Sequence, residues 1–439
     1  VQEYEVQLRE GENELALTVG EGWFCGPLTW NRRTKVYGDR PAVCCELTGE
    51  GVSVATDTDW TASESHIRAS GLYDGERVDL TAPLRPLQVI QVACDKACLV
   101  MQECEPVRDI CRVPVRQVLR TPKGELVYDF GQNLVGVAEV RTPETFDGTL
   151  TLRFAEILVD GNFYTDNLRS ARATDTFTAR GAHTFRPEFT FHGFRYMKLE
   201  GDELPAQCVT AIVRHTDMRR TGHIGTSDAQ LARLLENVVW GQRGNFVDVP
   251  TDCPQRDERL GWTGDINVFG RTAAYNYDVR GILKKWLRDV CSDQTPEGDI
   301  PSVVPDCLGE QRTAAMWADV VTMLPHTLYE MYGDVSFLAM CYPAMRKFVL
   351  ARERTMENGL IAHGFEWGDW LALDKEVLLE EGPFGRTDVY FIANVLHAHS
   401  LGIVSETARI LGEAAQAEEY RLKREALVRR IRREYFTAG

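Results

Sequence analysis

Asp248-Val-Pro-Thr-Asp-Cys-Pro-Gln-Arg-Asp-Glu-Arg-Leu-Gly-Trp-Thr-Gly-Asp265 carries five carboxylates, two arginines and a tryptophan in eighteen residues. Pro250, Pro254, Gly261 and Gly264 interrupt it at short intervals, which predicts an irregular loop rather than a helix or strand. A merely solvated acidic loop needs neither a tryptophan nor this density of proline and glycine. A site does, because groups that act on a substrate must be held within fractions of an ångström. Asp252, Glu258 and Asp265 can converge if the loop folds back on itself. Carboxylates in unequal surroundings ionise unequally, and one can stay protonated as a general acid. Trp262 offers a flat apolar face for a sugar ring, and Arg256 can fork onto hydroxyls or orient a carboxylate. The competing reading is a charged surface loop with helix caps; the Pro, Trp and Gly pattern favours a site.

The loop sits just inside a change of period. From Thr226-Ser-Asp228 onward the apolar spacing is helical, with Ser227 or Asp228 placed to cap a helix running through Leu231, Leu234, Leu235, Val238 and Val239. The spacing predicts about seven helices, near 228–246, 265–276, 278–291, 312–332, 335–355, 388–412 and 415–435. Upstream the pattern is β. Residues 1–110 show short apolar or alternating runs at 1–6, 14–19, 89–93 and 99–101, punctuated by glycines, and residues 111–222 add runs at 127–140, 149–155, 175–178 and 196–199. Two β-sandwich domains are therefore expected, 1–110 and 111–222, followed by an all-α domain over 223–439.

Composition narrows the function class. A formal net charge of −16 argues against nucleic acid, whose phosphates need a basic footprint, and fits a neutral substrate. No apolar run approaches the ~18 residues of a membrane span, so no membrane partner is expected. Twelve cysteines are scattered. Cys94 and Cys98 are spaced like a zinc pair, but Cys104 and Cys111 are too far apart to complete it and no His lies close by. The expectation is no metal and no cofactor, with buried free thiols in a reduced, cytoplasmic protein. The basic residues from Arg421 to Arg433 alternate with Glu425 and Glu434 and read as a solvated helix face.

The run Pro250 to Asp265 resembles the signature of the bacterial α-L-rhamnosidases of glycoside hydrolase family 78. Gly11 to Gly26, Trp60-Thr-Ala-Ser with Tyr73-Asp-Gly-Glu76, Arg169-Ser-Ala-Arg-Ala-Thr-Asp175 and Phe189-Thr-Phe-His-Gly-Phe-Arg-Tyr196 are similar to the family's β-domains. The resemblance implies that Glu258 is the general acid, and that Asp252, Arg256, Trp262 and Asp265 bind rhamnose. It makes Trp317 and Trp370 two further aromatic walls, with Trp367 competing with Trp370. It makes the second β domain concanavalin-like and the helical region the first part of an (α/α)6 barrel of twelve helices, incomplete here. It also implies that the N-terminal domain starts upstream of Val1 and that the general base of an inverting mechanism lies beyond residue 439.

Glu366, Glu376 and Glu380 stand in the right half of the helical region, but none sits in a matching motif. Trp23, Trp30 and Trp60 are aromatic candidates for a second sugar platform, against which stands ordinary core packing. His192, Arg195, Glu156 and Asn167 are candidate pocket groups, against which stands a role in satisfying sheet ends. The expected partner is a rhamnosylated glycoside or polysaccharide, and a homodimer is one compatible assembly. The alternatives are a non-catalytic carbohydrate-binding protein that keeps the sugar subsite without the base, and another (α/α)-barrel glycosidase.

Overall fold

The computed structural model describes residues 1–93, 95–309, 313–372 and 385–436. Cys94, Glu376 and Glu380, named above, lie outside the described residues. The chain forms two compact units. The first comprises Val1–Asp217, Glu236–Val247 and Cys253–Arg259; the second comprises Met218–Leu235, Asp248–Asp252 and Leu260–Gly439.

A ten-stranded sheet organises the first unit. Its strands are β1 (Ile67–Gly71), β2 (Gly75–Asp79), β3 (Val107–Pro114), β4 (Gln117–Arg120), β5 (Leu126–Arg141), β6 (Asp147–Ala155), β7 (Thr174–Arg180), β8 (Thr184–Phe185), β9 (His192–Glu200) and β10 (Val209–Thr216). They lie in the order β1-β2-β7-β6-β9-β5-β10-β3, with β4 and β8 also paired to β5. β7 shows why these residues form strands: Asp175, Phe177 and Ala179 alternate inward while their neighbours face out. The buried set includes Tyr128, Phe130, Leu150, Leu152, Phe154, Phe177, Phe194 and Met197.

Several polar groups inside this sheet are paired, though His192 Nδ1 and Thr176 Oγ1 are buried without a hydrogen-bond partner. His192 Nε2 meets the Asp175 carboxylate at 3.1 Å and stacks on Phe154 with centroids 4.2 Å apart. Arg195 forks onto Asp129 at 2.8 Å through two nitrogens. Glu156 accepts from Asn133 and Asn167. These four candidate pocket groups are thus engaged in holding the sheet.

The first 110 residues depart from expectation. Residues 1–6, 14–19, 89–93 and 99–101 form no strand among the described residues. Their apolar side chains, Tyr4, Leu15, Leu17, Ile90 and Val100 among them, are exposed, so the alternation has no core to face and no ladder to join. β1 and β2 instead extend the main sheet, where β2 pairs in parallel with β7. The cysteines also differ from the expected buried thiols. Cys44, Cys98 and Cys111 are exposed, whereas Cys25 and Cys104 are buried.

The second unit is helical. Its elements, with α1 shared by residue between the units, are α1 (Ala229–Asn245), α2 (Thr263–Asn276), α3 (Arg280–Asp293), α4 (Val320–Tyr332), α5 (Ser336–Glu353), α6 (Val389–Ile410) and α7 (Ala414–Tyr435). Each falls within a few residues of its expected place except α4, which begins at Val320 after a turn over 315–319. Asp228 caps α1 as expected, its Oδ1 accepting from the backbone of Gln230 and Leu231. α3 buries Ile282, Leu283, Trp286, Leu287 and Val290, one stripe at helical spacing. No helix among the described residues is long and apolar enough to cross a membrane.

Two features set testable limits on stability. Gly136 has φ +155°, and a Cβ there would fall 1.8 Å from the Ile212 carbonyl oxygen of β10. Gly136→Ala is expected to cost about 2–4 kcal/mol, read as a lower midpoint in urea unfolding. His397 on α6 is buried, with neither ring nitrogen hydrogen-bonded. Burial, with Arg352 and Lys423 nearby, pushes it down from 6.5 to about 3. The unfolded chain therefore binds this proton first, and stability is lost as pH falls from about 6.5 toward about 3. In urea titrations across that window, His397→Leu is expected to flatten the decline by a few kcal/mol, on the order of the linkage for such a shift.

Candidate active site

The acidic part of the quoted loop, Cys253–Arg259, belongs to the first unit. Arg259 is its anchor, only 2% exposed. Its Nη1 donates to the carbonyls of Leu72 (2.6 Å) and Phe191 (2.8 Å), its Nη2 to Gln255 (2.9 Å) and its Nε to Arg256 (3.0 Å). The guanidinium also lies 5.5 Å from the Tyr73 ring centroid and 5.1 Å from that of Phe191. Burial pushes its pKa down to about 10, which still leaves it charged at neutral pH. The Arg259 backbone N–H donates to the buried Cys253 sulfur at 3.5 Å, closing the turn.

This clamp presents two successive carboxylates. Asp257 is buried, and its Oδ2 accepts from the backbone N–H (3.2 Å) and hydroxyl (2.6 Å) of Ser170. Glu258 is fixed at its backbone, where Tyr73 donates to its carbonyl at 2.8 Å. Its side chain is 12% exposed, and Oε2 meets Arg169 Nη1 at 3.0 Å and Arg256 Nη2 at 3.1 Å. The expected general acid and the expected Arg256 are thus in direct contact.

The flanks of the loop lie in the second unit. Asp252 and Leu260 pair reciprocally: the Leu260 N–H donates to Asp252 Oδ1 (3.0 Å) and the Asp252 N–H to the Leu260 carbonyl (3.1 Å). One oxygen of Asp252 therefore shapes the loop. Trp262 bridges to Val303, and Thr263 donates to Ser302 through both N–H and Oγ. α2 starts at Thr263, which puts the exposed Asp265 in its first turn, where a negative charge is favoured.

An aromatic cluster completes this half. Trp367 is its hub, with ring centroids 6.1 Å from Trp262, 5.6 Å from Trp317, 4.8 Å from Trp370 and 4.7 Å from Phe365. Its indole N–H donates to Ser302 Oγ at 3.2 Å. Trp370 stands at the edge, 41% exposed. The two residues left competing by the sequence hold different places in one cluster. A Cβ on Gly264 would lie 2.6 Å from the Trp317 ring, so only glycine lets that indole seat against α2. Trp317 Nε1 is buried without a hydrogen-bond partner.

Glu366 holds the two Trp-bearing loops together. Its Oε2 accepts from the Ala315 N–H at 2.6 Å, and its Oε1 is paired with Arg352. Burial pushes its carboxyl up, against the pull of Arg352. The Met316 N–H adds a bond to Asp319 at 2.8 Å, and the Asn267 amide one to the Met316 carbonyl at 2.7 Å. Glu366 is thereby tied to the loop framework. Trp60 donates to its near neighbour Ala55 and lies outside the aromatic cluster.

Sequence reasoning missed Arg169, Ser170, Asp257, Arg259 and Tyr73. The signal was present in part: Arg169-Ser and Tyr73 head two of the quoted stretches, and Arg259 is the second arginine of the loop.

Three family models match the chain. They describe an alpha-L-rhamnosidase N-terminal domain over residues 1–110, a bacterial alpha-L-rhamnosidase concanavalin-like domain over 119–215, and a bacterial alpha-L-rhamnosidase 6 hairpin glycosidase domain over 219–439. An alpha-L-rhamnosidase of Formosa agariphila is 34% identical over 98% of this chain and 49% of its own length. One from Streptomyces avermitilis is 36% identical over 94% of this chain and 41% of its own. The chain thus spans about half the length of the curated relatives it matches. Among solved structures, the native Aspergillus terreus enzyme superposes with a TM-score of 0.90 at 32% identity, covering 96% of this chain and 51% of that one. The Streptomyces avermitilis enzyme, solved with L-rhamnose, gives 0.84 at 33%, covering 95% and 41%.

The Arg259 clamp predicts its own sensitivity. Lysine keeps the charge but cannot span four carbonyls from one nitrogen. Arg259→Lys is expected to cost about 2–4 kcal/mol, measured by denaturant unfolding, because buried carbonyls lose their donors.

Proposed function

Because the chain belongs to the bacterial alpha-L-rhamnosidase family, glycoside hydrolase family 78, we propose that the protein carrying it releases terminal α-L-rhamnose from rhamnosylated glycosides or polysaccharides. The observation that carries this reading is the placement of Glu258, a little-exposed carboxyl between two guanidinia on a backbone pinned by Tyr73 and Arg259. A general acid has to be fixed in this way, since it must meet a leaving oxygen at hydrogen-bond distance.

In this proposal Glu258 protonates the glycosidic oxygen. Arg256, Asp252 and Asp265 hold rhamnose hydroxyls, while Trp262, Trp317 and Trp370 pack on apolar faces of the sugar. The cluster around Trp367 supports the aromatic part, since it keeps the rings from collapsing onto one another. Inversion requires a second carboxylate roughly 6.5–9.5 Å from the acid, with a water between it and the anomeric carbon. We assign that base, on the family pattern, beyond residue 439. We likewise assign the helices of the second unit to an (α/α)6 barrel.

Glu258→Gln tests the acid. It is expected to lower kcat on alkyl rhamnosides by about 10²–10⁴-fold. An activated dinitrophenyl rhamnoside, whose leaving group needs no proton, should lose far less, and KM should hardly move. Near-normal turnover of the alkyl substrate would overturn the assignment.

A further inference from the structure

We infer that Cys291 and Cys341 form a peroxide-sensitive dithiol, which closes to a disulfide and fastens α3 to α5. The pair lies wholly in the second unit, and its chemistry does not depend on the role given to Glu258.

α3 and α5 pack side by side and run in the same direction. Three contacts fix their register. Lys284 Nζ donates to Ser336 Oγ at 2.9 Å, Arg288 Nε lies 3.4 Å from the Met340 sulfur, and Gln294 Nε2 donates to the Ala344 carbonyl at 3.0 Å. The Lys284 ammonium also stands 5.7 Å from the Phe337 ring centroid. Each step along one helix is thus matched by a step along the other. Cys291 and Cys341 fall between the second and third of these contacts, and there the two thiols meet in a hydrogen bond. Cys341 is fully buried, whereas Cys291 is half-buried. A single buried cysteine acts as a small hydrophobe. Two that meet across a helix interface can also react with one another.

Their surroundings divide the roles. The hydrogen bond from Cys341 holds the Cys291 thiol below its usual pKa, against the opposing effect of burial. The same bond, together with burial, holds Cys341 well above its own usual value. Cys291 is therefore the attacking thiolate and Cys341 the thiol that resolves. Hydrogen peroxide suits the site because it is small and uncharged. The Cys291 thiolate attacks one peroxide oxygen, the O–O bond breaks, and the departing hydroxide takes up a proton to become water. Cys291 is left as a sulfenic acid. The Cys341 sulfur then gives up its proton and attacks the Cys291 sulfur. The S–O bond breaks, and the hydroxyl leaves with that proton as a second water. Two thiols have lost two electrons, and one peroxide has been reduced to two waters. Sulfurs already in contact need only side-chain rotation to reach the ~2.05 Å of an S–S bond. The two residues stand fifty positions apart in sequence, with α4 between them. A bond between them restricts the unfolded chain, so the oxidised form is the harder to unfold.

The test titrates hydrogen peroxide into the complete protein that carries this sequence. Products are quenched with iodoacetamide, digested without reduction and mapped by mass spectrometry. A Cys291–Cys341 cross-linked peptide, removed by dithiothreitol, is expected at about tenfold less peroxide than alters the exposed Cys44, Cys98 and Cys111. In Cys341→Ala, dimedone is expected to trap a sulfenic acid on Cys291. In Cys291→Ser, Cys341 should stay a thiol at the same peroxide. Oxidation should also raise the urea midpoint of the wild type and leave that of Cys341→Ala where it was. Exposed thiols that oxidise while Cys291 and Cys341 remain open to alkylation after unfolding would overturn the dithiol. A cross-link that forms but lowers the midpoint would overturn the fastening. The wild-type map decides the first point even where a variant fails to fold.

Discussion

A guanidinium buried among carbonyls is the constraint on which the acidic loop depends. Removing a cation from water costs several kcal/mol, and Arg259 offsets this only by spending its N–H groups on Leu72, Phe191, Gln255 and Arg256 together. Two of those carbonyls lie in the β-rich segments and two within the loop. No loop conformation that moves Gln255 or Arg256 away keeps the set intact. The next residue back is Glu258, whose carbonyl is held by Tyr73. The backbone position of Glu258 is thus set through carbonyls, which cannot titrate, rather than through other carboxylates, which can.

The second unit solves a different problem by a different means. Indole rings that are to meet a ligand cannot be buried in a core, yet free rings collapse on each other. Trp367 prevents this by standing edge-on to Trp262 and Trp370, near-perpendicular at 78° in both cases. The arrangement exploits the ring quadrupole. Its support is polar: the Glu366–Arg352 pair and the Glu366 bond to Ala315 link the chain before Trp317 to the chain before Trp367. Breaking one partner of such a pair would leave the other charge buried, so the two loops are coupled.

Helices were legible because their signal is local. Asp228 caps where the sequence places a cap, and the stripe of α3 follows from spacing alone. The β region was less legible, because a strand exists only with its neighbour. Residues 14–19 alternate as well as β7 does, but only β7 has a core to face. For the candidate site, Glu258, Arg256 and Trp262 stand in one dense loop and could be proposed from it. Arg169 and Tyr73 could not be assigned a role, because their contacts to Glu258 span 89 and 185 positions in sequence. Trp367 was undervalued for a related reason: its importance lies in touching four rings, and contact number is not written in a motif.

Asp257 and Glu258 show how adjacent carboxylates come to differ. Both are acidic, both lie near Arg169, and chain chemistry alone does not separate them. Burial and donors do. Asp257 turns inward and gives one oxygen to a serine hydroxyl and a backbone N–H, which are neutral and fixed. Glu258 keeps some exposure, and its Oε2 meets two cations, Arg169 and Arg256, on long side chains that can follow it as its charge changes. A carboxylate bound to neutral, immobile donors serves as a fastener. One bound to long, charged side chains can gain and lose a proton without dismantling its surroundings, which is the property an acid needs if it is to be used in every cycle.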